Sequence, residues 1–379
     1  MKLKSFLLLS TLIASSFAFG AGEGQKLSFD QLRQRVFKKE YQKETSNTDV
    51  LRSRFSSWGI KNNFAQGSIN LPGALKKLTT QKEVVVAVID TGIDPTHPFL
   101  KDNIYVPKGD ASITNFGLDF SKGADNVNTP YDKNRHGTHV SGIIKSVFPN
   151  VKILSLKYYN RHASGKDNLN STIKALRYAV DLGVDIINYS GGGPEPDLEE
   201  LEILKKAERK GIIVVAAAGN EQENIDNKNT AYFPASYKLS NIITVTAHDQ
   251  SMKILNSSNW GAQTVDVSAP GYKINSAIPT SRNGLLTGTS QATAFVSGVA
   301  AMLKAGYPGL SAKQIKKIIS ITAKKEITFN GKVKSSGRVD ATAAVELAEK
   351  LNTKTNGKLA SYKGSKREVA NTPKVIIRK

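Results

Sequence analysis

Residues 84–89 read VVVAVI and close on Asp90-Thr91-Gly92, an unbroken and mostly β-branched run that ends in a turn. A strand with one face in water alternates apolar and polar residues. One that is apolar throughout is buried on both faces, as in a parallel sheet covered by helices. Runs of the same kind recur at residues 151–158, 185–190, 212–218 and 242–247. Helical patterns stand between them: residues 171–182, with Ile173, Leu176, Ala179 and Val180 on one stripe, and residues 197–210. The alternation predicts an α/β fold, a doubly wound and mostly parallel central sheet with helices on both faces, whose site lies at the carboxyl ends of the strands. Asp90, Ser190 and the Gly219-Asn220 pair each end such a run and are expected to rim one crevice. Helices at 311–321 and 340–351 complete the predicted core.

The flanks differ in composition. Residues 1–20 carry two lysines, an apolar run from Phe6 to Phe19 and small residues at Ala18 and Gly20, the pattern of a cleaved signal peptide. No later stretch offers the roughly 20 apolar residues of a membrane span, so an exported protein, periplasmic or extracellular, is expected. Residues 21–57 read as a short leader, a pro-segment or arm, with a helical pattern at 28–44 and a polar boundary at 45–57. Residues 58–351 form the expected catalytic domain. Residues 352–379, with eight Lys or Arg against one Glu, read as a flexible basic tail. The absence of cysteine excludes disulfides, a thiol nucleophile and cysteine-ligated metals. A formal charge of +21 favours anionic partners by long-range attraction without naming one.

Residues 288–298, GTSQATAFVSG, place a hydroxyl behind a Gly-Thr turn at the start of a small-residue apolar helix. Ser290 is there either an ordinary N-cap or a nucleophile at the positive helix end. A serine attacks only when a base takes its proton. Among five histidines, His136 and His139 stand in HGTHVSGII before an apolar helix, while His97, His162 and His248 fall in polar, loop-like surroundings. The spacing of three between His136 and His139, with no Glu between them, excludes the zinc-protease pattern. A carboxylate at a strand end, Asp90, suits the task of fixing one imidazole tautomer, whereas Asp94 suits the turn beyond Gly92. Asn220 and the backbone N–H of Ser290 are the candidate donors to an oxyanion.

The blocks VAVIDTGID (86–94), HGTHVSGI (136–143), AAAGN (216–220) and GTSQATAFVSG (288–298) resemble, in order and spacing, the four signatures of the subtilisin-like serine proteases. The similarity covers residues 58–351, with VSAPG (267–271) and SSGRVDATAAV (335–345) included. It implies Asp90 as orienting acid, His136 as general base and then acid, Ser290 as nucleophile, and an oxyanion hole of Asn220 and Ser290. It also implies that Ser190-Gly191-Gly192 pairs with the substrate backbone, and that Ala218, Gly219 and Tyr232 wall the primary pocket.

Departures from the pattern sharpen these expectations. Ala294 and Phe295 stand where a proline and a histidine are usual, and Gln291 where Met is common. Tyr232, where glycine is frequent, is expected to shorten the pocket in favour of small or medium aliphatic side chains. Phe99 replaces the usual calcium-binding aspartate, and no ligand loop follows the His136 helix. The usual high-affinity calcium site is therefore expected to be missing, with Asp125, Asp132 or Asp226 the remaining options. No cofactor is required. The leader is about half the length of the family's inhibitory pro-segments. The expectation is a monomeric endopeptidase acting on proteins or peptides, with no specific nucleic-acid partner and the tail available to an anionic surface. The alternatives are a catalytically inactive scaffold of the same fold that binds peptides or anionic surfaces, and an esterase, disfavoured because residues 288–292 read GTSQA rather than GxSxG.

Overall fold

The all-apolar runs become neighbouring strands of one sheet in the computed structural model, which describes residues 54–60, 66–107, 116–124 and 128–363. The expected signal peptide, nearly all of the leader, Asp125 and residues 364–379 of the tail lie outside the described residues. A short helix α1 (Leu71–Lys77) leads into β1 (Val85–Asp90). Then come β2 (Gly117–Asp119), α2 (His136–Val147), β3 (Lys152–Lys157), α3 (Gly165–Leu182), β4 (Ile186–Tyr189), α4 (Leu198–Arg209) and β5 (Ile213–Ala217). Strands β6 (Ile242–His248) and β7 (Val267–Pro270) follow, then a separate antiparallel hairpin of β8 (Ile274–Ile278) and β9 (Arg282–Leu286). Helices α5 (Thr289–Gly306) and α6 (Ala312–Ile321), the short strands β10 (Lys324–Lys325) and β11 (Gly337–Arg338), and α7 (Ala341–Lys363) close the described chain.

The sheet order is β10-β11-β7-β6-β5-β4-β1-β3-β2, with every pairing parallel except β10 with β11. From β1 the chain runs to the edge strand β2, comes back to β3 between β2 and β1, then crosses to β4 on the opposite side of β1. The carboxyl ends of β1 and β4 therefore flank the point where strand order reverses, which is where doubly wound sheets bind ligands.

One sheet face is covered by α3 and α4: Leu176 and Val180 with Leu204 and Ala207 pack on Leu154, Leu156, Ile187 and Val214. Each such buried aliphatic contributes roughly 1.5–3 kcal/mol by leaving water. On α5, all but Lys304 is buried, and the helix packs against α2 and strands β4 to β7. Its small residues permit this. A Cβ at Gly298 would lie 2.5 Å from the Cβ of Val147 on α2, so only glycine allows the two helices that approach.

Helix α3 begins at Gly165, ahead of the expected 171, because the Ser164 hydroxyl caps it by accepting the Asp167 N–H at 3.1 Å. Its polar first turns gave no apolar stripe. Asp197 caps α4 through the N–H groups of Glu199 and Glu200, at 2.8 and 2.9 Å, and Ser311 with Gln314 forms a capping box on α6. Helix α7 continues to Lys363, past the expected end at 351, through a stretch without proline. The expected leader boundary at 57 falls inside the folded body: Phe55 is fully buried, stacked on Phe99 at 5.2 Å and edge-on to His97 at 4.8 Å. The Asn275 amide also donates to the carbonyls of Arg54 and Ser56.

Candidate active site

Asp90 is the last residue of β1 and His136 the first of α2, and their side chains meet: His136 Nδ1 lies 2.8 Å from Asp90 Oδ1. The approach depends on bare backbone. A Cβ at Gly137 would sit 2.1 Å from the carbonyl oxygen of Gly92, so the start of α2 rests directly on the turn after β1. The Thr91 hydroxyl locks this contact, accepting the Gly137 N–H at 2.9 Å and donating to Asp132 Oδ1 at 2.8 Å. Asp132 Oδ2 accepts the Thr138 N–H at 2.9 Å. Burial by itself pulls the His136 pKa down, but the charge of Asp90, its hydrogen bond and the charge of Asp132 outweigh it, and the net shift is upward. The Asp90 carboxylate is 4% exposed and the imidazole 32%, so one partner is held from water while the other faces the cleft.

Ser290 occupies the first turn of α5. It is not the cap. Gly288 stands at the N-cap position, and the Ser290 hydroxyl instead donates to the carbonyl of Ser190, at 3.1 Å, just past the end of β4. Among the described residues, the Ser290 hydroxyl makes no hydrogen bond to His136 in this arrangement. The Ser290 N–H belongs to the first helical turn, where backbone donors have no partner within the helix. Asn220 follows β5, and its Oδ1 accepts the Thr289 N–H at 3.0 Å and lies 3.3 Å from the Thr289 hydroxyl. With the oxygen so engaged, the Nδ2 end of the amide is left for the cleft, and Asn220 is exposed there.

The predicted pocket residues also assemble. Gly191 and Gly192 follow β4, Ala218 and Gly219 follow β5, and Tyr232 stands between the two segments. A Cβ at Gly192 would meet the Tyr232 ring at 2.4 Å, and one at Gly219 would meet it at 3.1 Å. Gly193 and Phe233 exchange backbone hydrogen bonds of 2.8 and 3.0 Å behind the ring. Asn259 braces the opposite wall: its Oδ1 accepts from Glu221 and Glu223, at 3.0 and 2.9 Å, and its Nδ2 donates to the Ala218 carbonyl at 2.9 Å. Sequence reading missed Thr91, Thr289 and Asn259. The first two sit inside the motifs it used, so asking which group holds Asp90's turn or Asn220's oxygen would have found them; Asn259 lies in a polar loop with no signal.

Two of the other histidines need correction. His97 and His248 are buried, not in polar loops: His97 Nε2 lies 3.0 Å from the Arg282 carbonyl, and His248 is held between Ser268 Oγ and the Gly67 carbonyl, both at 2.8 Å. Burial lowers the pKa of His248, and of His139 on α2, to about 4. His162 is exposed, as expected. Asp94 shapes its turn, accepting from Thr96 and Thr280. Asp226 accepts the N–H groups of Gln263 and Thr264. Phe99 is buried with the Lys145 ammonium 4.8 Å over its ring, surroundings that do not fit a bound cation.

The fold and this grouping of side chains define a class that comparison bears out. Residues 81–356 match the family model of the subtilase family, and the chain belongs to that family. It is 37% identical over 270 residues to the thermophilic serine proteinase of Bacillus sp. (strain AK1), a match covering 69% of this chain and 61% of that relative's length. Thermitase of Thermoactinomyces vulgaris is 35% identical over 271 residues, covering 69% of this chain and 88% of thermitase. Subtilisin DY of Bacillus licheniformis is 35% identical over 249 residues, covering 63% and 83% respectively.

Proposed function

We propose that the chain is an exported serine endopeptidase that cleaves peptide bonds through an acyl-enzyme on Ser290. The observation that carries the reading is the His136 Nδ1 to Asp90 Oδ1 contact of 2.8 Å, in a fold that also sets a serine at the start of a buried helix. The Asp90 carboxylate accepts the Nδ1 proton and leaves Nε2 with its lone pair toward the cleft. Ser290 Oγ, turned from the Ser190 carbonyl, attacks the scissile carbonyl as its proton passes to Nε2. The oxyanion receives hydrogen bonds from Asn220 Nδ2 and the Ser290 N–H. His136 then gives the proton to the leaving amine, and water repeats the sequence to release the acid. No step calls on a cofactor or metal.

The substrate chain is proposed to lie extended along Ser190-Gly191-Gly192, where backbone pairing tolerates many sequences. Tyr232 fills the floor between Gly192 and Gly219, so small and medium aliphatic side chains are preferred; a peptide panel favouring Phe or Arg would contradict this. Residues 1–20 are proposed to direct export and be removed, the segment from residue 21 to act as a short leader that ends before the buried Phe55, and the basic tail to meet anionic surfaces, the mature protein being monomeric. Among the described residues no helix is long and apolar enough to cross a membrane. The test is casein digestion by the purified protein: activity lost in Ser290→Ala with unchanged folding supports the reading, and equal digestion by both removes it.

A further inference from the structure

A cavity of about 560 Å³ opens across β1 from the Tyr232 pocket, and none of its charged groups takes part in the reaction proposed above. It lies at the carboxyl ends of β2 and β3, where Lys157 is the register partner of Asp90. Asn134, next but one to His136, forms part of its wall. The charge lining it is one-sided. Lys133, Lys157 and Arg161 stand against a single acid, Asp119, among the described residues.

Asp119 is already engaged: its Oδ2 pairs with Lys157 Nζ at 2.7 Å, and its Oδ1 accepts the N–H and hydroxyl of Ser121. Lys157 keeps two of its three ammonium donors beyond that pair. Arg161 Nε donates to His162 Nε2 at 2.9 Å, which leaves the rest of its guanidinium fork without a carboxylate among the described residues. Lys133 is exposed and has no acidic partner there either. Of the other carboxylates on this side, Asp90 and Asp132 are buried and turned to His136, Thr91 and the backbone of α2, and Asp167 is paired with Lys122 at 3.0 Å and accepts the Ser164 hydroxyl. An uncompensated basic cavity beside the reacting groups is an anion site.

We infer that this cavity is a specificity pocket for an acidic substrate residue, taking the carboxylate of the Asp or Glu that immediately precedes the residue seated over Tyr232. Side chains of an extended peptide alternate in direction. With one directed toward β5 and Tyr232, its predecessor is directed the other way, toward His136 and β3. The inference rests on the peptidase reading.

The experiment uses quenched fluorescent peptides of one sequence, differing only in Glu, Gln or Lys at that position. The expected result is kcat/KM about fivefold higher for Glu than for Gln, with Lys lowest, the size of a partly exposed charge pair. In a Lys133→Ala, Arg161→Ala double variant, Glu falls to the Gln level while the Gln peptide is cut as before. Equal cleavage of Glu and Gln, or a preference that survives the double variant, overturns the pocket. If no peptide is cut, the peptidase reading fails, and the anisotropy of the same labelled peptides on Ser290→Ala protein still decides the pocket: tighter Glu than Gln binding supports it, and equal binding overturns it.

Discussion

At Asp90 and His136 two opposed effects act on one proton. Burial disfavours the imidazolium, and the neighbouring carboxylates favour it and win, so the His136 pKa lies above its ordinary value. The proposed base is the neutral imidazole. Activity is therefore expected to be full at alkaline pH and to fall as pH drops through the raised pKa, with the acid limb of kcat/KM centred above 6.5. Asp90→Asn is expected to remove the upward shift and cut kcat steeply, because the tautomer is no longer fixed; a pH profile of both proteins checks it, and an unchanged limb contradicts it. Asn220→Ala is expected to cost about 10²–10³ in kcat with KM little changed, the size of effect known for the corresponding donor in subtilisin. Thr289→Val should produce a smaller loss of the same type, since it frees one restraint on the Asn220 oxygen. The residues proposed for chemistry were legible because each ends or begins a regular element. Their supports were not: Thr91 stood inside a motif with its role unread, and Asp132 and Asn259 act through hydrogen bonds that only three-dimensional contact reveals.

The elements show why three glycines stand in the motifs. Helix α2 meets the turn after β1 through Gly92 and Gly137, and α5 meets α2 through Gly298. Gly137→Ala is expected to push α2 off the Asp90 turn, destabilising the fold by about 1–3 kcal/mol and lowering kcat more than that loss explains. Thermal unfolding and kinetics on the same variant separate the two effects. On the opposite face, Leu176→Ala should cost about 2–5 kcal/mol and leave kcat near wild type at low temperature. The strand pattern was readable for β1 and for β3 to β6 because continuous apolar runs dominate there. Strands β2, β10 and β11 are too short for any periodicity to show, and the polar start of α3 is helical through its Ser164 cap rather than through an apolar stripe.

For the molecule as a whole, the buried imidazoles set the response to acid. His139 and His248 have pKa values of about 4 in the folded chain, against about 6.5 when unfolded. Between those values the unfolded state binds more protons, so stability rises with pH and is lost on acidification, by up to about 1.4 kcal/mol per pH unit for each group. The melting temperature is expected to fall between pH 6.5 and 4, and His248→Gln should flatten that slope. The buried Phe99, beneath the Lys145 ammonium, leads us to propose that a chelator leaves activity and melting temperature unchanged. Everything proposed here requires that Ser290 be a nucleophile activated by His136. Reaction with a fluorophosphonate, followed by mass mapping of the adduct, tests this most directly. The expected result is a single adduct on Ser290, formed at a rate that rises with pH along the His136 titration and lost in His136→Ala. An adduct elsewhere, none at all, or one formed equally fast without the imidazole would contradict it.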